Sequence, residues 1–166
     1  MSMVLFISDL HIGHRSILKH CPARGGNNLD EHDAWVIQQC LSVKPNKRTL
    51  WWILGDVCFD LSKMHLLDAL PGRKRLVLGN HDKFQTGVYL KHFESIHCGL
   101  RNYKNWLTHI PIHPAELRKC TNIHGHCHVE QLNDPRYLNV SIEHLPGMRP
   151  ITLEEVRKHF KKLGVT

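Results

Sequence analysis

The sequence predicts an α/β layered fold, and three observations predict it. Short apolar runs alternate with segments of helical periodicity from one end to the other, the pattern of strands layered against helices. Three of the apolar runs end alike, with a small residue followed by Asp or Asn, as strand ends do where a sheet delivers side chains to a crevice. The chain has 166 residues, enough to bury a core unaided, and no repeat, low-complexity stretch or linker divides it. A single domain over residues 1–166 is expected.

Taken in order, Met3–Ile7 is the first apolar run. Asp30–Val43 is expected to be helical, with Asp30 as N-cap, Asp33 in the first turn, and Ala34, Ile37 and Leu41 on one face. Leu50–Leu54 follows; its Leu50-Trp51-Trp52-Ile53 core is read as a strand buried on both faces in preference to a base-stacking platform. Leu61–Leu70 reads as a helix that stops before Pro71-Gly72. Arg75–Leu78 is a third short run. A helix is expected near Thr86–His92, with strands near Ser95–Leu100, Asn105–Thr108, Cys120–His124 and Tyr137–Val140. Thr152-Leu153-Glu154-Glu155 is a capping box that opens a last helix to about Lys162.

Composition removes several classes. No apolar run approaches the roughly 20 residues of a membrane helix. The N-terminus has no basic n-region, and Asp9 arrives too early for a signal peptide. The six cysteines form no CxxC pair and are expected to be free thiols, so a cytoplasmic protein is expected. The balance of 22 Lys+Arg over 15 Asp+Glu gives +7, which favours anionic partners. Histidine is the unusual component: 15 residues of the commonest metal ligand and general acid/base.

The strand ends carry the chemistry. Ser8-Asp9 follows the first run, Gly55-Asp56 the second, and Gly79-Asn80-His81-Asp82 the third. Leu107-Thr108-His109 and Ile123-His124-Gly125-His126-Cys127-His128 repeat the pattern more loosely. Any one Asp at a strand end is an ordinary turn or cap residue. Five such ends in one chain instead bring carboxylate, amide and imidazole groups together. That mixed donor set suits Mn, Fe, Zn, Ni or Mg better than a thiolate site. The donors are too many for one ion and about enough for two, the arrangement used in phosphoester displacement.

Asp9-Leu10-His11, Gly55-Asp56, Gly79-Asn80-His81-Asp82, His109 and Gly125-His126-Cys127-His128 resemble the five motifs of the calcineurin-like metallophosphoesterase superfamily. The likeness runs from Ser8 to His128, and Leu138–Ser141 with Pro150–Leu153 is similar to the small single-domain bacterial and phage members. The resemblance implies an αββα sandwich of two mixed β-sheets flanked by helices. It implies two divalent ions, with Mn the first choice. Asp9, Asp56, His11 and His128 would hold one, and Asn80, His109 and His126 the other. Asp56 would bridge them and Asp9 would lean on both. Hydroxide shared by the two ions would attack phosphorus, with His81 as general acid and Asp82 as its orienting partner. The segment Thr108–Pro114 offers two histidines for the fourth motif; His109 is taken because it directly follows the strand, which leaves His113 near the rim. The GDxxDR form of the protein phosphatases is absent. His14, Arg15, Arg24 and His113 are the candidate substrate contacts. The expected substrate is a phosphodiester or phosphomonoester of nucleotide type. A nuclease is the alternative, because Asp9-Leu10-His11-Ile12-Gly13 looks like the DxHxG of double-strand-break repair nucleases, although the chain has no room for their DNA-engaging cap. A non-catalytic metal-binding scaffold is the alternative of another class.

Overall fold

A computed structural model of the chain describes residues 2–165. Four parallel strands form most of the first sheet: β1 (Val4–Ile7), β2 (Leu50–Ile53), β3 (Arg73–Val77) and β4 (Ser95–His97). The final strand, β9 (Ile151–Thr152), returns antiparallel on the free edge of β1, giving the order β4-β3-β2-β1-β9. The second sheet has the order β5-β6-β7-β8, made of Leu100–Asn102, Asn105–Leu107, Thr121–His124 and Tyr137–Asn139. Here β6, β7 and β8 are parallel and β5 is antiparallel. With helices on the outside, these two mixed sheets are the expected α/β sandwich.

The central strand explains the packing. All four residues of β2 are buried, because helices and the second sheet cover both of its faces. The Trp51 indole donates to the Pro71 carbonyl at 2.8 Å, so this bulky side chain is both apolar filler and hydrogen-bonded. Residues of both sheets, such as Phe6 and Ile53 from one and Leu107 and Ile123 from the other, belong to a single core. The sheets are also joined through backbone: Ser8 N–H donates to the Val140 carbonyl at 2.9 Å, and Ile142 N–H to the Ser8 carbonyl at 3.1 Å.

Several elements differ from their expected form. Helix α2 spans Leu29–Leu41, and its N-cap is Asn28, whose Oδ1 accepts from Glu31 N–H at 3.0 Å. Asp30 is therefore a first-turn residue, and its carboxylate takes Lys63 Nζ at 2.6 Å. The buried stripe of α2 is His32, Asp33, Val36 and Cys40; Ala34 and Leu41 are exposed. The helix is rotated from its apolar reading because His32 and Asp33 are consumed by buried polar partners described below. Leu61–Ala69 is helical but of the tighter 3₁₀ type. The expected Ser95–Leu100 strand breaks at Cys98-Gly99, and its halves, β4 and β5, enter different sheets. Thr86–His92 shortens to the single turn α3 (Thr86–Tyr89). Two further single turns, α1 (Ile17–His20) and α4 (Pro114–Leu117), are too short to leave a periodic signal. The last helix, α5 (Leu153–Lys162), opens with both bonds of the capping box, Thr152 with Glu155. None of the described helices is long and apolar enough to cross a membrane.

Candidate metal centre

The parallel strands of both sheets point their carboxyl ends the same way, so five loops meet at one edge. Strand β1 ends in Asp9 and His11, β2 in Asp56, and β3 in Asn80, His81 and Asp82. Strand β6 ends in His109, and β7 in His126 and His128. The loops approach too closely for side chains at two glycines. A Cβ at Gly79 would collide with the Asp56 carboxylate, and one at Gly125 would collide with the Ser8 side chain. Asp9, His11, Asp56, His126 and His128 all adopt positive φ, between 49° and 70°. Non-glycine residues hold that conformation only where the surroundings force it.

Three groups of candidate ligand atoms result, each with its atoms within 4.8 Å of one another. The first is Asp9, His11 and His128; the second is Asp9, Asp56 and His109; the third, Cys21, His128 and Glu143, lies on the Nδ1 side of His128. His11 Nε2 lies 3.7 Å from Asp9 Oδ1 and 3.8 Å from Asp56 Oδ2, and His128 Nε2 lies 3.8 Å from Asp9 Oδ1. His109 Nε2 lies 3.4 Å from Asp56 Oδ2. Asn80 Oδ1 completes that side, 2.9 Å from His109 Nε2 and 3.0 Å from His126 Nδ1. All seven sequence-predicted ligands are thus brought together.

The donor set fits a cation. Asp9 Oδ1 and His11 Nε2 are buried and have no hydrogen-bond partner among the described residues, which is costly unless an ion satisfies them. The other Asp9 oxygen is used: it accepts from His126 N–H at 2.9 Å and Ser141 Oγ at 2.8 Å. His109 Nδ1 faces the Leu54 carbonyl at 2.7 Å, which can only accept. The proton therefore sits on Nδ1, and Nε2 of the neutral ring offers its lone pair inward.

Electrostatics follow from the same contacts. Burial works to raise the Asp9 carboxyl, but His11, His109 and His128 outweigh it and hold it well below the usual carboxylate range. Asp56 is lowered in the same way against its burial, chiefly by His109. Burial opposes charge on His109, yet the Asp56 and Asp9 carboxylates raise its pKa. Burial, reinforced by His11, His20 and His81, pushes His14 down to about 4.

The remaining predicted residues take different places. The His81 main-chain N–H donates to Asp56 Oδ1 at 2.9 Å, and its exposed side chain lines a cavity of about 270 Å³ with His11, His14, His20, Phe59 and His128. Asp82 makes no bond to His81. Its oxygens accept from the N–H groups of Asp56, Val57 and Gly79 at 2.8–3.0 Å, so it ties the second and third motif loops together. Burial raises its pKa against those three donors. His14 and Arg15 line a neighbouring cavity of about 450 Å³. His113 caps α4, its Nδ1 accepting from Ala115 N–H at 3.2 Å, and lines neither cavity. Arg24 is not a rim group: it is buried, with its guanidinium on Glu143 and on the carbonyls of Asp9 and Leu10.

Two residues at the site carried no sequence signal. Phe59 stacks on His11 at 4.9 Å between ring centroids and also touches His14 and His81. Glu143, in the segment after β8, places Oε1 3.0 Å from His128 Nδ1. Phe59 follows the second motif by three residues but is of a type that binds no metal, and Glu143 lies far from every motif, so only the tertiary contact identifies either.

Residues 2–162 match the family described as calcineurin-like phosphoesterase. The chain belongs to this family. Among its relatives, an uncharacterised protein of Methanocaldococcus jannaschii is 29% identical, with 98% of this chain and 93% of that protein covered. The Gene 66 protein of Mycobacterium phage L5 is 41% identical over 87 residues, which are 49% of this chain and only 41% of the phage protein. The crystal structure of a protein of unknown function from Aquifex aeolicus superposes with a TM-score of 0.73 at 26% identity, covering 95% of this chain and 99% of that one. Two of the three candidate ligand clusters consist wholly of residues from the five strand-end motifs.

Proposed function

We propose that this chain hydrolyses a phosphodiester or phosphomonoester, with two divalent ions held at the strand ends. The observation that carries this reading is the convergence of seven candidate ligand side chains, two of which, Asp9 and His11, present a buried oxygen and nitrogen with no hydrogen-bond partner among the described residues. Asp9, His11, His128 and Asp56 would hold one ion; Asp56, Asn80, His109 and His126 the other, with Asp56 shared. When bound, the ions lower the pKa of water and neutralise charge on the phosphoryl oxygens. Mn suits this oxygen and imidazole set, and Fe, Zn, Ni and Mg are the competing occupants.

The protein's own groups do the rest. His81 is anchored through its main chain while its ring stays at the cavity mouth, which leaves it free to donate a proton to the departing oxygen. Neutral His14 beside it offers a hydrogen bond without adding charge. Two adjoining cavities, which share His14 and Phe59, give room for the two halves of a small ester of nucleotide size. The net charge of +7 adds long-range attraction for such anions. Metal analysis with turnover of bis-p-nitrophenyl phosphate in Mn²⁺ tests the reading. A protein that binds no ion and releases no p-nitrophenol would refute it and leave the scaffold alternative. Cleavage of single- or double-stranded DNA in preference to the small ester would favour the nuclease.

A further inference from the structure

Beneath the first ligand group lies a buried ion pair that none of the motifs contains. The side chains of Arg24 and Glu143 are 0% and 1% exposed. One oxygen, Glu143 Oε1, takes three donors: Arg24 Nε at 2.7 Å, Arg24 Nη2 at 2.6 Å and His128 Nδ1 at 3.0 Å. The same guanidinium donates to the carbonyls of Asp9 at 2.5 Å and Leu10 at 2.9 Å. Its Nη1 also meets His32 Nε2 at 3.3 Å, and His32 Nδ1 meets Asp33 Oδ1 at 3.0 Å. Asp33 Oδ1 in turn accepts from Gly13 N–H at 3.0 Å. The network therefore grips the loop Asp9–Gly13 from below, where Asp9 and His11 are held at positive φ.

We propose that Glu143 and Arg24 are positioning residues for one ion only, the ion of Asp9, His11 and His128. This rests on the reading that the site holds metal. A carboxylate can only accept, so Glu143 fixes the proton of neutral His128 on Nδ1 and turns the Nε2 lone pair toward Asp9 Oδ1. Arg24 keeps the buried carboxylate charged, which it would not remain alone. Through the Asp9 and Leu10 carbonyls it also sets the other two ligands. Apart from the shared Asp9, the ligands of the second group make no hydrogen bond to the pair among the described residues: His109 is oriented by the Leu54 carbonyl, and Asn80 and His126 face each other.

The test is calorimetric titration of chelator-stripped full-length protein with Mn²⁺ alone, comparing wild type with E143Q and E143A. Loss of one of two sites by about 10- to 100-fold, with the other unchanged, is the expected result. Equal affinity at both sites in E143Q would overturn the proposal, as would equal weakening of both. Should E143A fail to fold, the isosteric E143Q and the metal-free wild type decide. In ¹⁵N-labelled wild type, His128 should carry its proton on Nδ1; a proton on Nε2 overturns the proposal. Asymmetric weakening without any phosphoester turnover would sink the hydrolase reading and leave the positioning intact. Turnover with unaltered E143Q binding would do the reverse.

Discussion

Ten non-glycine residues among those described have positive φ, and five of them are candidate ligands: Asp9, His11, Asp56, His126 and His128. Strain of this kind persists only where other contacts over-determine it, and it concentrates at working sites. Asp56 shows how the contacts divide. Its Oδ1 accepts from His81 N–H while Oδ2 faces both His11 and His109. Replacement by Asn keeps the shape and removes the shared charge, so Asp56→Asn should lose tight Mn²⁺ binding as well as turnover. Calorimetry and activity read together will check this, and full metal retention would contradict the bridging role. His81 makes a separate prediction. His81→Ala should slow alkyl phosphate esters far more than p-nitrophenyl esters, whose leaving group needs no proton. Equal losses on both would remove the general-acid role.

At the scale of elements, the loops after the strands are built for close approach. Gly125 sits against Ser8 and Asp9, so Gly125→Ala must push β7 from β1 and separate His126 and His128 from Asp9. Weaker metal binding with a cooperative, lower melting transition is expected. The capping box at α5 is a purely structural contrast. Thr152→Ala should cost about 1 kcal/mol of stability, measured by urea unfolding, with ligand geometry untouched. Glu155, bonded foremost by Arg149 and then by Thr152, is held at about 2 against an ordinary value of 4.5. A carboxyl depressed on folding stabilises fully above its unfolded value, and that contribution is lost as pH falls from about 4.5 towards 2. Unfolding of Glu155→Gln followed over that window should therefore show a shallower acid loss than wild type. Parallel curves would mean that Glu155 is not the group responsible.

For the whole molecule, the site is the seam between the two sheets. Ser8 bonds to Val140 and Ile142, and Asp9 bonds to His126 and Ser141, so ligands from one sheet are locked to loops of the other. Ions that bind only the folded chain stabilise it by mass action, about 2.7 kcal/mol for one site at 100 times its dissociation constant. Chelator should lower the melting temperature of wild type by several degrees and change that of Asp56→Asn much less. A melting temperature indifferent to chelator would mean that the ions do not bridge the sheets.

How much was readable in the sequence depended on the range of the interaction. Alternation of apolar runs and helices announced the layered fold, because burial patterns are local. The glycine-to-donor steps at Gly55-Asp56, Gly79-Asn80 and Gly125-His126 announced the candidate ligands, because a backbone turn and the donor after it lie side by side in the chain. Thr152 and Glu155 announced α5 for the same reason. The buried stripe of α2 could not be read that way. His32 and Asp33 turn inward only because Arg24 and the Gly13 amide await them, and an apolar count has no term for that. Arg24 reads in the sequence as a substrate contact, but Glu143, 119 residues away, supplies its counter-charge in the interior. Asp82 looked like a partner for His81 until three backbone N–H groups claimed both its oxygens. The sequence by itself determined which side chains could bind metal and the strand ends that carry them. Only the tertiary structure decided which groups orient those ligands, since hydrogen bonds and ion pairs between distant segments leave no periodic or local trace.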